Sequence, residues 1–343
     1  MNLHKEASMS NSPFFSIILP TYNRAVMLPT ALETLARQTF KDFEVIIVDD
    51  GSIDNTPEII KAWTIDPRFK YKFVEHVGNM PCRNLALKMA TGTWITNIDS
   101  DDLWLPQRLE IFASYIKKNP NAGFIFSNGY LYRFGRIIGL DFDPAVSLPE
   151  GKLAGHYAVG RSGLPYLTTN LAIPRNLYQK YGHYRKDMVI LDNELYARML
   201  ADGIEVGVIY EPLAIRRIHG GQVTHQWLNS YPESIEALKA SSPSPDVFER
   251  EKMNLVLEFA DYLWKNLETE KARSFMLSEL GETAKKTKLY FLTFVPKFFL
   301  NWMKRLRKIY LEFRYSPIFA DRERKKIYLF LNPLLSEERK RED

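Results

Sequence analysis

The segment between Ile95 and Pro106 carries three carboxylates, Asp99, Asp101 and Asp102, directly after a short apolar run. Like charges this close repel one another unless a cation or a hydrogen-bond donor neutralises them. Carboxylate oxygens in this number suit Mg2+ or Mn2+, and these ions commonly hold the phosphates of a substrate. The segment therefore predicts a divalent-metal site. The alternative is an acidic turn in which Asp101 or Asp102 caps the following helix.

Polar residues also follow two other predicted strands in the N-terminal half. An apolar run at 16–19 leads into Pro20, Thr21 and Tyr22, and a β-branched run at 43–48 leads into Asp49 and Asp50. Two more strands are predicted at 71–75 and 93–98, with helices at about 26–38, 56–64 and 81–89. Such alternation predicts a doubly wound, mostly parallel α/β sheet flanked by helices, whose ligands lie at the carboxyl ends of the strands. We therefore expect these polar residues and the acidic segment to converge on one crevice.

Four motifs follow one another in an order typical of one family: SIILPTYN at 16–23, VDDGS at 48–52, RN at 83–84 and DSDD at 99–102. This series resembles the family-2 glycosyltransferases of the GT-A fold, over roughly residues 14–225. A lone Asp-x-Asp is common by chance, whereas the ordered set is specific. The resemblance implies a nucleotide-sugar donor, a glycan hydroxyl as acceptor, and transfer with inversion, as in bacterial surface-glycan assembly. The enzyme would be of the hexosyl- or N-acetylhexosaminyltransferase class.

The resemblance also implies which residues bind the donor. Tyr22 would stack on the base, with the Pro20–Thr21 turn against the base edge, although Tyr22 could equally be a core tyrosine. Asp50 would accept the base imide N–H, which suits uracil and favours a UDP-sugar. Asp49 would steady the turn instead.

Two further donor contacts fall at the other motifs. Arg83 would meet the charge of the base or the phosphates, while Asn84 caps or packs locally. Asp99 would reach the ribose or the sugar.

The same resemblance places Mn2+ or Mg2+ on Asp101, the second aspartate of the Asp-x-Asp motif. The ion would offset charge that grows on the departing nucleoside diphosphate. His219 follows two predicted strands, at 203–210 and 212–218, and could approach the same ion, slightly favouring Mn2+; a lone histidine is more often structural. Arg216 and Arg217 alternate across the second strand, so one of them can face the site. Asp102 is expected to cap a helix at about 106–117.

Transfer with inversion needs one base on the acceptor side. Family members usually carry Glu-Asp and, two residues later, another acid on a helix, and the Asp acts as the base. Here Leu191 replaces the Glu, Asp192 keeps the Asp and Glu194 matches the later acid. The resemblance therefore implies Asp192 as the base, with Glu194 as the second candidate. The alternative is that Asp192 only caps this helix.

The absence of three sequence patterns limits the class of protein to which the chain can belong. The Gln-x-x-Arg-Trp signature of processive synthases is missing, and so is an apolar stretch of about twenty residues, which favours addition of a single sugar. No Gly-rich loop follows the first strand, which argues against a nucleotidyltransferase or a Rossmann dehydrogenase. Because Leu191 departs from the family pattern, a catalytically silent GT-A scaffold that binds nucleotide or membrane without transfer stays open.

The chain of 343 residues predicts three parts: a short disordered start at 1–13 without signal-peptide character, a GT-A domain at 14–228, and a helical extension at 229–343. SSPSP at 241–245 reads as a linker between helices. Cys82 is the only cysteine, so no intramolecular disulfide forms and a cytoplasmic location is expected.

The extension is basic. Residues 285–343 hold 16 Lys and Arg against 7 Asp and Glu, which leaves 30 against 34 for the rest of the chain and argues against nucleic acid as the ligand. An aromatic run at 289–303, broken by Pro296 and Lys297, precedes KRLRK at 304–308. Such a segment suits a helix lying peripherally on an anionic membrane, where the acceptor would be a lipid-linked glycan at the cytoplasmic face of the cell membrane. It suits equally a bundle packed on the catalytic domain or on a second subunit of a homo-oligomer.

Overall fold

The structure is a computed structural model, and it describes residues 12–133, 135–159, 164–165, 168–185, 193–219, 230–314 and 322–342. The predicted disordered start falls, up to residue 11, outside the described residues. Asp192 also lies outside them.

Ten strands of the described residues form one sheet. Their bounds are β1 Phe15–Thr21, β2 Phe43–Asp49, β3 Phe69–Phe73, β4 Trp94–Asn97, β5 Leu103–Trp104, β6 Ala122–Arg133, β7 Arg136–Leu140, β8 Gly151–Lys152, β9 Leu171–Pro174 and β10 Glu205–Arg217. The strand order is β3-β2-β1-β4-β9-β6-β10-β5, with β7 paired to β6 and β8 to β10. Strands β1, β2, β3 and β4 are parallel, β10 is parallel to β6, and β9 runs antiparallel between β4 and β6. The predicted mostly parallel, doubly wound sheet is confirmed.

Helices cover both faces of the sheet and make up the C-terminal part. Their bounds are α1 Leu28–Ala36, α2 Thr56–Trp63, α3 Asn79–Met89, α4 Arg108–Lys118, α5 Arg175–Tyr181, α6 Asn193–Ala201, α7 Tyr231–Ser241, α8 Pro245–Lys265, α9 Thr269–Leu280, α10 Lys288–Leu292, α11 Lys297–Arg314 and α12 Arg322–Glu342. The predicted linker at 241–245 falls where α7 ends and α8 begins, with the Ser244 hydroxyl accepting from the amide of Val247.

Successive side chains of β1 belong to two apolar layers, one on each side of the sheet. Ile17 and Leu19 pack towards α1 and α4, whereas Ile18 packs towards α3 and α6. Since successive residues of a strand point to opposite faces, a central strand covered on both sides must be apolar at every position, as the sequence at 43–48 nearly is. Glu44 is the exception. Its buried carboxylate accepts from the Ser16 hydroxyl and the Thr91 amide and pairs with Lys70.

The chain after the acidic segment departs from the prediction. Leu103 and Trp104 form β5, which pairs antiparallel with Ala214 and Ile215 of β10, so the backbone is extended where a helix cap was expected. Helix α4 begins only at Arg108, with Gln107 in the N-cap position, and the prediction that Asp102 caps it is therefore wrong.

The two strands predicted at 203–210 and 212–218 are one strand, β10. Its pairing with β6 is irregular on both sides of Pro212, where the register shifts. A proline cannot donate to a neighbouring strand, and a strand accommodates it at such an irregularity. This correction matters because the uninterrupted strand carries its last residues to the acidic segment.

Helix α12 packs back onto the sheet. Its buried Tyr328 and Leu331 join a cluster with Ile137 of β7 and Ile215 of β10. The Tyr328 hydroxyl also accepts from the amide of Ile137 at 3.0 Å. The predicted helical extension is thus present, and its last helix packs against the strands that carry the candidate site. Within the described residues, none of the helices combines the length and the apolar character that a membrane crossing requires.

Candidate active site

The acidic segment lies at the carboxyl end of β4, next to the ends of β1 and β2. Carboxylate oxygens of Asp99, Asp101 and Asp102 all lie within 4.8 Å of one another. In parallel strands the carboxyl ends meet at one edge, so the predicted convergence follows from the strand order itself. Three negative charges in this space must each find a cation or a donor.

Asp101 is held by residues from two distant parts of the chain. His219, two residues beyond β10, places Nε2 at 2.9 Å from Asp101 Oδ2, and Arg24 places Nη2 at 3.8 Å from the same oxygen. Arg217 donates from Nε to the Asp101 carbonyl oxygen. Burial raises the pKa of Asp101, but the bond to His219 and the charge of Arg24 lower it more, so the carboxyl stays ionised.

The other two aspartates have different environments. Asp99 pairs with Arg83 Nη2 at 2.5 Å, and 42% of its side chain is exposed to the space that Asp99, Asp101, Arg24, Arg83 and His219 border, which we call the recess. Burial raises the pKa of Asp99 in spite of Arg83. Asp102 is buried, and it accepts from the backbone amide of Arg217 at 3.2 Å. Burial, together with the neighbouring aspartates, raises its pKa well above the ordinary value. Asp102 therefore ties β10 to the acidic segment, and Asp99 and Asp101 face the recess.

The base-binding end of the predicted donor site forms around Asp50. Its carboxylate accepts from the amides of Val77 and Gly78 at 2.7 and 3.1 Å and pairs with His76 Nδ1 at 2.9 Å. Gly78 has φ of +96°, a conformation that favours glycine and lets its N–H point at the carboxylate. The ring of His76 lies 4.5 Å from that of Tyr22, centroid to centroid. Tyr22 is 40% exposed and is therefore a surface ring, not a core tyrosine.

Pro20 and Thr21 are the last two residues of β1, not a turn beyond it, and both are buried. Thr21 Oγ1 has no hydrogen-bond partner among the described residues. A buried hydroxyl without a partner is costly, so this atom is a position where a bound ligand or water would be stabilising.

Asp49 and Asn84 have structural roles. Asp49 accepts from the Ser52 amide at 2.9 Å and so steadies the turn, as predicted. Asn84 donates to the carbonyl of Tyr184 at 2.8 Å and accepts from its amide at 2.9 Å. The expectation that Asn84 caps or packs locally is therefore wrong, because its partner lies 100 positions away. This pair fixes α3 against the segment that precedes α6.

Helix α6 starts one residue after Asp192, and its buried residues join the apolar core on the α3 side of the sheet. The Tyr196 hydroxyl lies 2.9 Å from that of Tyr184, which in turn lies 3.4 Å from that of Tyr178. The Tyr178 hydroxyl lies beside the Asn97 amide at the carboxyl end of β4. A line of buried hydroxyls thus connects α6 to the strand that carries the acidic segment.

Glu194, the second candidate for the base, faces elsewhere. Its carboxylate pairs with Arg198 one turn later on α6, at 2.7 Å. The two residues line a groove of about 360 Å³ that also includes Tyr181 and Ala237, from α5 and α7. Because Arg198 engages this carboxylate within that groove, the contact argues against Glu194 as the base.

Sequence reasoning missed two side chains that shape the recess, Arg24 and His76. Arg24 directly follows the SIILPTYN motif and was given no role, although its position next to a strand end was a usable signal. Nothing local indicated His76, which approaches Tyr22 and Asp50 from the loop after β3. Of the two arginines expected to alternate at the end of β10, Arg217 is the one that contacts the acidic segment. Arg216 points away from Asp101 and pairs with Asp141 at 3.3 Å.

Comparison with known proteins agrees with this geometry. Residues 16–138 match the family model described as Glycosyl transferase family 2. The chain is 38% identical over 113 residues to an uncharacterized glycosyltransferase of Rickettsia felis, which is 33% of this chain and 18% of that protein. It is 34% identical over 125 residues to the UDP-Glc:alpha-D-GlcNAc-diphosphoundecaprenol beta-1,3-glucosyltransferase WfgD of Escherichia coli, which is 36% of this chain and 49% of that protein. The chain therefore matches less than two thirds of the length of these relatives.

Two solved structures share the fold. S. aureus TarS 1-349 in complex with UDP-GlcNAc superposes with a TM-score of 0.56 at 18% identity, covering 77% of this chain and 81% of that one. The mannosyltransferase PcManGT from Pyrobaculum calidifontis, in complex with GDP-Man and Mn2+, superposes with a TM-score of 0.53 at 19% identity, covering 89% and 87%. At these identities the likeness concerns the fold, and the predicted GT-A architecture is confirmed.

Proposed function

We propose that the protein transfers a single sugar, with inversion, from a nucleotide-sugar to a hydroxyl of a glycan acceptor. Residues 16–138 match the family model described as Glycosyl transferase family 2, and the fold is that of GT-A glycosyltransferases. One observation carries the proposal: Asp101 and His219 meet in a recess that Arg24, Arg83 and Asp99 also line. Cationic side chains beside a pair of carboxylates suit a diphosphate, alone or with a metal ion.

The donor would lie along the carboxyl ends of β1, β2 and β4. Tyr22 offers an exposed ring for the base, and Asp50 offers a carboxylate within the same pocket. We expect the base to enter beside His76, which now covers Tyr22 and pairs with Asp50. The buried Thr21 hydroxyl would gain a partner on binding. A uracil imide N–H is the donor that a carboxylate such as Asp50 accepts, and this favours UDP. WfgD uses UDP-Glc and TarS binds UDP-GlcNAc, by their names.

The residues around Asp101 fit a divalent metal ion. Asp101 and His219 offer one carboxylate and one imidazole on the open side of the recess, and Asp99 offers a second carboxylate within reach. Oxygen ligands with one nitrogen suit Mn2+ or Mg2+. When bound, the ion would supply positive charge for the leaving diphosphate. Arg24 supplies positive charge at the same place. How far diphosphate binding depends on the metal ion is therefore a question for measurement.

The proposed reaction is a direct displacement. The acceptor hydroxyl oxygen forms a bond to the anomeric carbon while the bond from that carbon to the diphosphate oxygen breaks, and the electron pair leaves with the nucleoside diphosphate. Asp192, one residue before α6, takes the hydroxyl proton as the base. The buried hydroxyls of Tyr196, Tyr184 and Tyr178 support this placement, because they link α6 towards the end of β4.

The proposed acceptor is a glycan or a lipid-linked glycan. WfgD is named for a diphosphoundecaprenol-linked acceptor, and it shares 34% identity over 125 residues with this chain. A lipid-linked acceptor would bring the protein to the cytoplasmic face of the cell membrane as a peripheral protein. The alternative of a silent scaffold predicts nucleotide binding without turnover.

Calorimetry with UDP tests the donor part of the proposal, first with Mn2+ and then with a chelator. Binding that requires the ion supports the metal site at Asp101; equal binding in both conditions would show that Arg24 and its neighbours suffice, and would refute metal dependence. If UDP does not bind, GDP, dTDP and CMP follow. Release of UDP from UDP-Glc or UDP-GlcNAc, even slowly and into water, separates an enzyme from a silent scaffold.

A further inference from the structure

Helix α11 exposes a continuous apolar face. Sixteen large apolar side chains are exposed in the described part of the chain, and nine of them lie between residues 291 and 310. On α11 itself Phe298, Trp302 and Ile309 are 75%, 54% and 61% exposed. A monomeric soluble protein seldom exposes so many large apolar groups together, so this face is a candidate interaction surface.

The exposed side chains form one stripe along the helix. Phe298, Trp302, Leu306 and Ile309 follow the spacing i, i+4, i+8 and i+11, which places them on one side of an α-helix. Phe299 extends the same stripe and packs its ring 5.6 Å from that of Trp302. We call these five residues the α11 stripe.

A different side of α11 faces the protein. Leu300 is buried, at 3% exposure, and it lies two residues, or about 200°, from Phe298 around the helix. The apolar residues of α12, by contrast, pack on the sheet through Tyr328 and Leu331. The two helices of the extension therefore differ: one side of α12, with Tyr328 and Leu331, packs on the sheet, whereas the α11 stripe stays largely exposed among the described residues.

Cationic side chains border the stripe. Lys297, Lys304 and Arg305 are exposed on the same helix, and Arg305, three residues after Trp302, lies on the stripe's own side. In the sequence, residues 285–314 hold nine lysines and arginines and one acidic residue. A second copy of this chain would bring the same positive charges into contact and be repelled, whereas an anionic lipid surface neutralises them. Charge complementarity therefore favours an anionic lipid surface over a second copy of this chain as the partner of the stripe.

We propose that the α11 stripe docks the protein on an anionic lipid bilayer, with the helix lying in the headgroup layer. Phe298, Trp302 and Ile309 would enter the acyl boundary, and Lys297, Lys304 and Arg305 would contact lipid phosphates. This inference rests on the proposed function in one respect: docking would bring the recess to an acceptor carried by a lipid. The docking itself needs neither donor nor metal.

The test is sedimentation of the full chain with vesicles of phosphatidylcholine, with and without phosphatidylglycerol. The expected result is binding that requires phosphatidylglycerol and weakens with added salt. The double variant Phe298→Asp with Trp302→Asp should bind at least roughly tenfold more weakly, because burial of two aromatic rings is lost. Lys304→Gln with Arg305→Gln should weaken binding to anionic vesicles by roughly tenfold or more, at about fivefold for each cation.

Matched controls are Leu329→Asp on α12 and Ile65→Asp in the loop after α2, since both side chains are exposed apolar groups outside the stripe. Their vesicle binding should equal that of the wild type. Calorimetry with UDP on each variant keeps the two proposals apart, because a folded variant that loses vesicle binding should keep its nucleotide affinity.

Three results would overturn the docking proposal. They are equal binding to neutral and anionic vesicles, vesicle binding that the stripe variants do not change, and a chain that ignores vesicles but self-associates through the stripe. Light scattering after gel filtration detects the last case, in which Phe298→Asp with Trp302→Asp would convert an oligomer into a monomer. Absence of UDP binding in an otherwise vesicle-bound wild type would instead count against the proposed function.

Discussion

The imidazole Nε2 of His219 lies 2.9 Å from Oδ2 of Asp101, although 118 positions separate the two residues. The contact exists because β10 continues along β6 as far as Arg217, with β5 on its other edge, and so returns the chain to the segment after β4. The backbone amide of Arg217 on Asp102 fixes the end of that strand. The proposed metal site is thus assembled by the last strand of the sheet.

Replacing His219 with Ala should weaken Mn2+-dependent UDP binding by roughly 10- to 100-fold, as expected when a metal ligand or its supporting partner is removed. Calorimetry with Mn2+ measures the effect. His183→Ala is the control, because His183 is exposed and lies outside the recess. Unchanged affinity in His219→Ala would leave this histidine with a structural role only.

Asp101→Asn should abolish the difference between UDP binding with Mn2+ and with chelator, since an amide is a poor ligand for a divalent cation. It should also remove the negative partner of Arg24 and His219. Titration of the variant with UDP under both conditions provides the test, and Asp143→Asn, at an exposed site, serves as the control. A variant that still requires Mn2+ would move the ion to other residues.

Asp192→Asn should leave UDP affinity close to that of the wild type and remove transfer, because a base acts in the displacement and not in donor capture. Glu194→Gln is the matched comparison. It breaks an i,i+4 pair with Arg198 worth about 0.3–0.5 kcal/mol, and its transfer rate should stay within severalfold of the wild type. Release of UDP measures sugar transfer in both variants. The reverse pattern would assign the base to Glu194.

Glu44→Gln should lower the free energy of unfolding at neutral pH by about 1–3 kcal/mol, since buried donors lose a charged partner. Burial acts to raise the pKa of Glu44, but hydrogen bonds from Lys70, Ser16 and Thr91 bring it below 4.5. Because the folded-state pKa of Glu44 lies below its unfolded-state pKa, the stabilisation from Glu44 is complete at pH values above the unfolded-state pKa. This stabilisation is lost as the pH falls through the folded-state pKa.

Urea unfolding of wild type and Glu44→Gln, at neutral pH and at about pH 3, measures this dependence. The difference between the two proteins should shrink at the acid pH. Glu249→Gln is the control, because Glu249 is exposed, and it should differ from the wild type by less than about 0.5 kcal/mol at either pH. A difference that grows in acid would contradict the assignment.

Leu331→Ala should destabilise the protein by about 2–5 kcal/mol, because its side chain is fully buried between α12 and the strands β7 and β10. Leu329→Ala makes the same chemical change at a position that is 74% exposed, and should stay within about 0.5 kcal/mol. Thermal unfolding compares the two. Equal stabilities would show that α12 does not contribute to the fold of the catalytic domain.

Much of the site could be predicted from local sequence. The runs at 16–19 and 43–48 identify buried strands by composition, and the polar residues at their ends must share one edge once the strands are parallel. Tyr22, Asp50 and Asp99 could therefore be placed together from the local sequence, and Arg83 joined them through the family resemblance. Two other expectations also agree with the structure: Asp49 steadies the turn after β2, and the acidic segment lies where the strand ends meet. The division of the chain at residue 228 and the role of Asp192 stay predictions.

Only the tertiary structure decided which partners these residues have. Nothing local shows that Asp102 accepts from Arg217 or that Asn84 binds Tyr184. The same holds for α11 and α12, two basic helices rich in apolar residues, of which one packs on the sheet and the other exposes its stripe. Periodicity and motifs report on neighbours within a few residues. Contacts between residues about a hundred positions apart depend on strand order and packing, which the whole chain settles together.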